Sequence, residues 1–240
     1  MVTIRVFVHT VIAYFLVSCV VIFFAIPAFI LLCIPSRFWY DSKIIAWTMC
    51  TFYKMIKKSS LTPITYTGIE NIPDEPVVFV ANHQSSFDIP LLGVLAQCQP
   101  HVWLAKHELM NTWLLRFVLP RVAVLVDTST PRRGMATLLK VVNLVYNKKL
   151  HVMIFPEGGR FVKGTIQPFF GGFVILTKKL NRPLVPVYIK GVDKVYPPDS
   201  WWVYRQPIEV HVGKPMYIQE NEDDESFKNR VHQWFVDQVH

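Results

Sequence analysis

The first side chains in this chain that could do acid–base chemistry are His83 and Asp88, five residues apart in the stretch VVFVANHQSSFDIP. The apolar run 77–81 leads into them and reads as a buried strand. Pro90 is tolerated only in the first turn of a helix, so the following helix is expected to begin near Ser85 or Ser86, both good N-cap residues. On one continuous helix a five-residue step would set two side chains about 140° apart. With His83 in the loop and Asp88 in the first turn, the carboxylate can instead reach back to the imidazole. It would then fix the ring's tautomer and leave the other nitrogen to accept a proton. Taken alone, the pair reads equally well as a structural histidine beside an aspartate at a helix start.

A second set follows the apolar segment of HVMIFPEGGRF: Glu157, Gly158, Gly159 and Arg160. Two glycines let a backbone turn sharply and approach a ligand closely. Arg160 offers a planar fork suited to phosphate, and Glu157 can accept from a hydroxyl. A third set is Lys106 with Glu108, directly after the run 102–105. Singly, these read as a surface turn and a solvated lysine. Their shared position changes the reading. All three sets lie just past the carboxyl ends of expected strands, the edge at which open α/β sheets bind ligands. A base, a phosphate fork and a second cation would share one cleft.

The elements that must position them alternate. Apolar, β-branched runs at 64–67, 77–81, 102–105, 122–126, 152–155, 185–189 and 208–212 predict strands, with helical patterns near 86–96, 133–147, 170–180 and 222–239 between or after them. Residues 193–207, with consecutive prolines, read as a loop. This pattern implies an α/β domain on a mixed, mostly parallel sheet flanked by helices.

The amino end differs. Residues 6–34 hold no charge over 29 positions, more than the roughly 20 needed to cross a bilayer as a helix. Arg37, Lys43, Lys54, Lys57 and Lys58 follow, a basic flank that favours the cytoplasmic side. Pro27 can bend the helix. Two arrangements fit: a single tilted span, or a bent or paired helical motif, 6–34 with 44–56, inserted into one leaflet. The division expected is a membrane-anchoring segment over 1–58 and a catalytic domain over 59–240. The basic middle, thirteen Lys/Arg against three acids over 106–182, suits an anionic headgroup, a nucleotide or a membrane surface. Cys19, Cys33, Cys50 and Cys98 show no paired spacing, so neither a disulfide framework nor a zinc site is expected, and a reducing, cytosol-facing domain fits.

NHQSSFD and FPEGGR together make the sequence specific. The first resembles the Asn-His-x4-Asp signature of the glycerolipid acyltransferases, and the second resembles their Phe-Pro-Glu-Gly-Thr-Arg motif. AKHEL is similar to the family's second block and VPVYIKG to its fourth, in the same order, over roughly 64–192. Within the family the chain looks most like the 1-acylglycerol-3-phosphate acyltransferases of bacterial type. The resemblance implies that His83 takes the proton from the sn-2 hydroxyl of lysophosphatidic acid while Asp88 orients it. The alkoxide would attack the thioester of acyl-CoA or acyl carrier protein. Glu157 and Arg160, helped by Lys106 and with Gly158 and Gly159 on the same turn, would bind the glycerol phosphate. The resemblance also implies an amino-terminal helical membrane motif, no metal or other cofactor, and no nucleic-acid partner. The chain departs from the pattern at Gly159, where threonine is usual, and at Thr128, where arginine is frequent; Arg132 or Arg133 stand near enough in sequence to substitute. The alternatives are another lysophospholipid or glycerol 3-phosphate as acceptor, or a non-catalytic lipid-binding membrane protein. No Gly-x-Ser-x-Gly elbow supports a serine hydrolase.

Overall fold

A computed structural model describes residues 3–32, 39–111, 115–161, 165–198 and 200–239. The elements run α1 (Ile4–Leu32), α2 (Lys43–Ser59), β1 (Ile64–Thr67), β2 (Val78–Ala81), α3 (Asp88–Gly93), β3 (His101–Lys106), α4 (Leu115–Val122), β4 (Ala123–Val126), α5 (Pro131–Val145), β5 (His151–Ile154), α6 (Gly172–Leu180), β6 (Leu184–Lys190), α7 (Val192–Val195), β7 (Ile208–Val212) and α8 (Asp224–Asp237). Each expected strand is present with its ends within about a residue of the apolar run that predicted it. The seven form one sheet in the order β1-β7-β6-β2-β5-β3-β4. The strands β6, β2, β5, β3 and β4 are parallel, while β7 pairs antiparallel with β6 and parallel with β1.

The central strand β2 is buried along its whole length, which is why it reads as a continuous apolar run rather than an alternation. Phe79 and Ala81 face a layer that includes Leu91 and Leu92 of α3 and Tyr53 of α2. Val78 and Val80 face α5, α6 and α8 through Val141, Phe173, Phe227 and Phe235. Helix α8 starts where its acids predicted, with the Asp223 carboxylate accepting from the Ser226 N–H at 2.6 Å. Helix α3 begins later than expected. Asp88 is its first residue, and no Ser85 or Ser86 side chain caps its first turn.

Helices α1 and α2 lie against each other, with Phe24 and Phe52 in edge contact at 5.4 Å. Among the described residues α1 is the one helix long and apolar enough to cross a membrane, and most of its large side chains are exposed. Helix α2 is a different case. Ile45, Ala46, Cys50 and Tyr53 are buried, and a Cβ at Gly93 of α3 would come within 2.5 Å of the Tyr53 ring. The helix counted in sequence with the anchor therefore shares its core with the sheet.

Against the expectation from spacing, Cys50 of α2 is disulfide-bonded to Cys98. Local spacing is silent about a pair 48 residues apart that only the docking of α2 beside α3 brings together. Closing a loop of that length restricts the unfolded chain by about 4 kcal/mol in the chain-entropy model. Reduction should lower the melting temperature of the purified protein, as a thermal scan with and without dithiothreitol will show. Identical melting with and without reductant would count against the bond.

At the amino ends of their strands, His101 and His151 pair side by side on β3 and β5. The Val77 N–H donates to His151 Nδ1 at 3.2 Å, and the Tyr53 hydroxyl meets His101 Nε2 at 3.3 Å. Burial, reinforced by the charges of His101 and Arg182, pushes His151 down to about 4. Its unfolded value is about 6.5, so between these two pH values only the unfolded chain takes up the proton. The stability contributed is present above 6.5 and lost as pH falls toward 4, on the order of 3 kcal/mol. His151→Asn keeps an acceptor for Val77 and removes the titration. Its melting temperature should fall less steeply than wild type between pH 6.5 and 4, and parallel curves would refute the assignment.

Candidate active site

The site is built where three adjacent parallel strands, β2, β5 and β3, reach their carboxyl ends. Asn82, one residue past β2, ties that edge to β6: its Nδ2 donates to the Ile189 carbonyl at 2.8 Å and its Oδ1 accepts from the Ile189 N–H at 2.7 Å. The chain then leaves the sheet with His83 first.

His83 Nδ1 lies 2.8 Å from Asp88 Oδ2. The same oxygen accepts from the Gln84 N–H at 2.5 Å and the Ser85 N–H at 2.8 Å. Asp88 is fully buried, so its charge depends on these three donors. This arrangement also explains the late start of α3, because the amides before the helix are folded back onto the carboxylate of its first residue. An ionised carboxylate is an acceptor only, so His83 Nδ1 carries the hydrogen and Nε2 is left with its lone pair. The ring is 13% exposed rather than freely solvated, stacked on Phe155 at 4.0 Å with the planes 10° apart.

Glu157 lies at the base of the site, buried. Its Oε1 accepts from the His83 N–H at 3.0 Å and its Oε2 from the Gln167 N–H at 3.1 Å. Desolvation pushes its carboxyl up, and the two amide bonds pull it back. The structure thus engages both oxygens with backbone, at the loop of His83 and at the segment that precedes α6. The Phe161 N–H closes the arrangement by donating to the His83 carbonyl at 2.8 Å.

Gly158 has φ +64, and a Cβ there would stand 2.7 Å from the Phe170 ring and 3.3 Å from Lys106 Cε. That turn requires glycine both for its backbone and for its space. The same measurement places Lys106 directly beside the turn. A Cβ at Gly159 would come within 2.9 Å of the Phe161 ring, so the volume a threonine side chain would need is taken by an aromatic. Arg160 is exposed and makes no hydrogen bond or ion pair among the described residues. Glu108 is exposed in the short turn His107–Asn111. At the start of α5, Arg133 is held by Ser129 Oγ at 3.3 Å and by Asp127 at 3.5 Å, whereas Arg132 is exposed. The structure therefore brings His83, Asp88, Lys106, Glu157, Gly158 and Gly159 to one edge, with Arg160 at its rim. Sequence reading missed Asn82, Phe155 and Phe161. Asn82 stood inside the quoted signature, but its partner lies 107 residues away. Among the described residues no group of three or more His, Cys, Asp or Glu side chains could hold a metal ion.

The fold and site define an α/β protein that presents a carboxylate-oriented imidazole at a strand edge, an arrangement suited to general-base chemistry. The Acyltransferase family model matches residues 63–190, and the chain belongs to that family. It is 30% identical over 62% of its length to a chloroplastic 1-acyl-sn-glycerol-3-phosphate acyltransferase of Brassica napus, covering 44% of that protein. It is 28% identical over 63% of its length to a 1-acyl-sn-glycerol-3-phosphate acyltransferase of Pseudomonas aeruginosa, covering 58% of it. The chain thus spans about half the length of these curated relatives. Its fold is similar to the crystal structure of the 1-acyl-sn-glycerophosphate (LPA) acyltransferase PlsC from Thermotoga maritima. The TM-score is 0.76 at 21% identity, over 100% of this chain and 97% of that one.

Three substitutions separate base from scaffold. His83→Ala should leave a folded protein and lower turnover on the order of 100- to 10,000-fold. In Asp88→Asn the new oxygen can keep the three donors, but its NH2 takes the place of Asp88 Oδ1, which has no hydrogen-bond partner among the described residues. That variant should fold with a modest loss of stability and lose turnover because nothing neutralises the imidazolium. Glu157→Gln should be less stable by about 1–3 kcal/mol, since one of its two backbone donors then faces an NH2 group. Circular dichroism with initial rates checks all three, and near-normal turnover by folded His83→Ala sinks the assignment.

Proposed function

We propose that this protein is a membrane-bound 1-acylglycerol-3-phosphate acyltransferase, which forms phosphatidic acid for phospholipid synthesis. The observation that carries the reading is the His83–Asp88 pair, with Nε2 directed away from the carboxylate at the same edge as Lys106 and the Gly158 turn. His83 Nε2 accepts the proton of the sn-2 hydroxyl as its oxygen attacks the thioester carbonyl. The new C–O bond forms, the C–S bond breaks, and the departing thiolate takes the proton back from His83. Asp88 holds the ring during the charged interval.

The acceptor's phosphate is assigned to Arg160 and Lys106, two cations beside the glycine turn. Glu157 contributes by fixing the His83 backbone, and has unused lone pairs with which to meet a glycerol hydroxyl. The reading needs no metal or cofactor, because base, orienting carboxylate and phosphate ligands are all side chains. The donor is acyl-CoA or acyl carrier protein, and no nucleic acid takes part. The exposed apolar face of α1 supports a membrane location, and the basic flank at 37–58 supports a catalytic domain on the cytoplasmic side. On that side Cys50 and Cys98 would be held as thiols.

Arg160→Ala should raise KM for lysophosphatidic acid much more than KM for the donor, and Arg160→Lys should recover only part of the loss, because an ammonium cannot form the paired contacts. The assay uses purified protein in detergent, labelled acyl-CoA, and lysophosphatidic acid, lysophosphatidylcholine and glycerol 3-phosphate as acceptors. Transfer to lysophosphatidic acid is the expected preference. Equal effects on donor and acceptor would remove Arg160 from the phosphate site, and preference for another acceptor would replace the substrate named here.

A further inference from the structure

The segment between α7 and β7 carries a feature that the chemistry does not use. Trp201 is 85% exposed, among the highest values of any large apolar side chain in the described residues. A mobile loop could expose a tryptophan incidentally, but this loop is fastened on both sides. Thr10, near the amino end of the charge-free stretch of α1, donates to the Val6 carbonyl at 2.7 Å and accepts from the Val203 N–H at 3.0 Å. Both Thr10 and Val203 are buried. The Tyr14 hydroxyl donates to the Trp201 carbonyl at 3.0 Å, and Phe7 meets Trp202 at 6.1 Å between ring centroids. Phe7, Thr10 and Tyr14 recur at helical spacing, so one stripe of α1 grips the loop. The neighbouring stripe of Val8, Val11, Ile12 and Phe15 stays exposed. On its other side the loop reaches the catalytic helix: Tyr196 packs on Phe87 at 4.8 Å, one residue before Asp88, and the Tyr204 N–H donates to the Val195 carbonyl at 3.0 Å.

We infer that Trp201 is an interfacial membrane anchor, continuous with the exposed face of α1, that sets the height of the His83–Asp88 site at the lipid surface. The occupant is the glycerol and headgroup zone of a phospholipid bilayer. Three observations select it over a protein partner. The side chain is a tryptophan, whose apolar ring and N–H suit that zone. It adjoins a helix face that is apolar over a length no ordinary protein contact requires. Arg205, exposed on the same loop, is a cation of the kind that anionic headgroups attract. The loop thereby joins two things that must be held at a fixed distance, the bilayer and the catalytic aspartate.

The inference rests on the reading of α1 as membrane-embedded, and the experiment separates the two. The full-length protein is reconstituted into phosphatidylcholine/phosphatidylglycerol vesicles whose acyl chains carry bromine at shallow or at deep positions, and tryptophan emission is compared for wild type and Trp201→Phe. The difference between the two spectra isolates Trp201. That component should be quenched more by shallow than by deep bromine. Trp201→Ser should in addition lower transfer to long-chain lysophosphatidic acid in vesicles severalfold, while leaving transfer to a short-chain, water-soluble acceptor unchanged. If the Trp201 component is unquenched while other tryptophans, such as Trp47 on α2, are quenched, the inference fails and the α1 reading stands. If no tryptophan is quenched, the membrane reading fails with it. An equal loss of activity on both acceptors would make Trp201 a structural residue and overturn its role as an anchor.

Discussion

The structure depends above all on keeping one ionised carboxylate, Asp88, fully buried. A buried charge is tolerated only when it is paired and hydrogen-bonded, and here a single oxygen gathers the donors: the His83 ring and the amides of Gln84 and Ser85. Those bonds dictate the local chain. They fold the loop after β2 back over the start of α3, hold the imidazole in one tautomer and leave its Nε2 free. Glu157 repeats the device one strand away, using a buried carboxylate to bind the backbone of His83 to the segment leading into α6. Two carboxylates thus hold one histidine, Asp88 by its ring and Glu157 by its backbone N–H.

The same economy joins the apolar amino end to the site. Helix α2 reads as a basic, amphipathic companion of the anchor, yet Tyr53 lies flat on Gly93 and accepts from the Trp103 indole N–H at 3.0 Å. Trp103 in turn stacks near Phe155, and Phe155 carries the His83 ring. A line of aromatic contacts therefore runs from the α2 helix to the His83 imidazole. The division at residue 58 describes where the charge-free and basic stretches end. It does not mark a gap in packing.

What could be read beforehand follows a physical rule. The strands were legible because burial on both faces leaves runs of β-branched residues, as in VVFVA and LVPVYI. The pairing of His83 with Asp88 was legible because Pro90 limits where a helix can begin. The three reactive sets shared an edge because parallel strands bring their carboxyl ends together. The exact start of α3 was not legible, since the amides of Gln84 and Ser85 turn back onto the Asp88 carboxylate and no serine side chain caps the helix. Nor were the partners of Glu157, the Cys50–Cys98 bond or the Thr10–Val203 contact, which join residues far apart in the chain and leave no local pattern. Gly159 was visible as a departure, but that the Phe161 ring occupies the space beside it needed coordinates.

The central claim is that Asp88 fixes His83 as a base with its lone pair on Nε2. The most direct test is nitrogen NMR of histidine-labelled protein at a pH where the ring is neutral, with the His83 signals assigned by their absence from His83→Gln. The account predicts a protonated, pyrrole-type Nδ1 and an unprotonated, pyridine-type Nε2, a preference that weakens in Asp88→Asn. A His83 ring protonated on Nε2, or one that exchanges freely between the two tautomers in the wild-type protein, would contradict it.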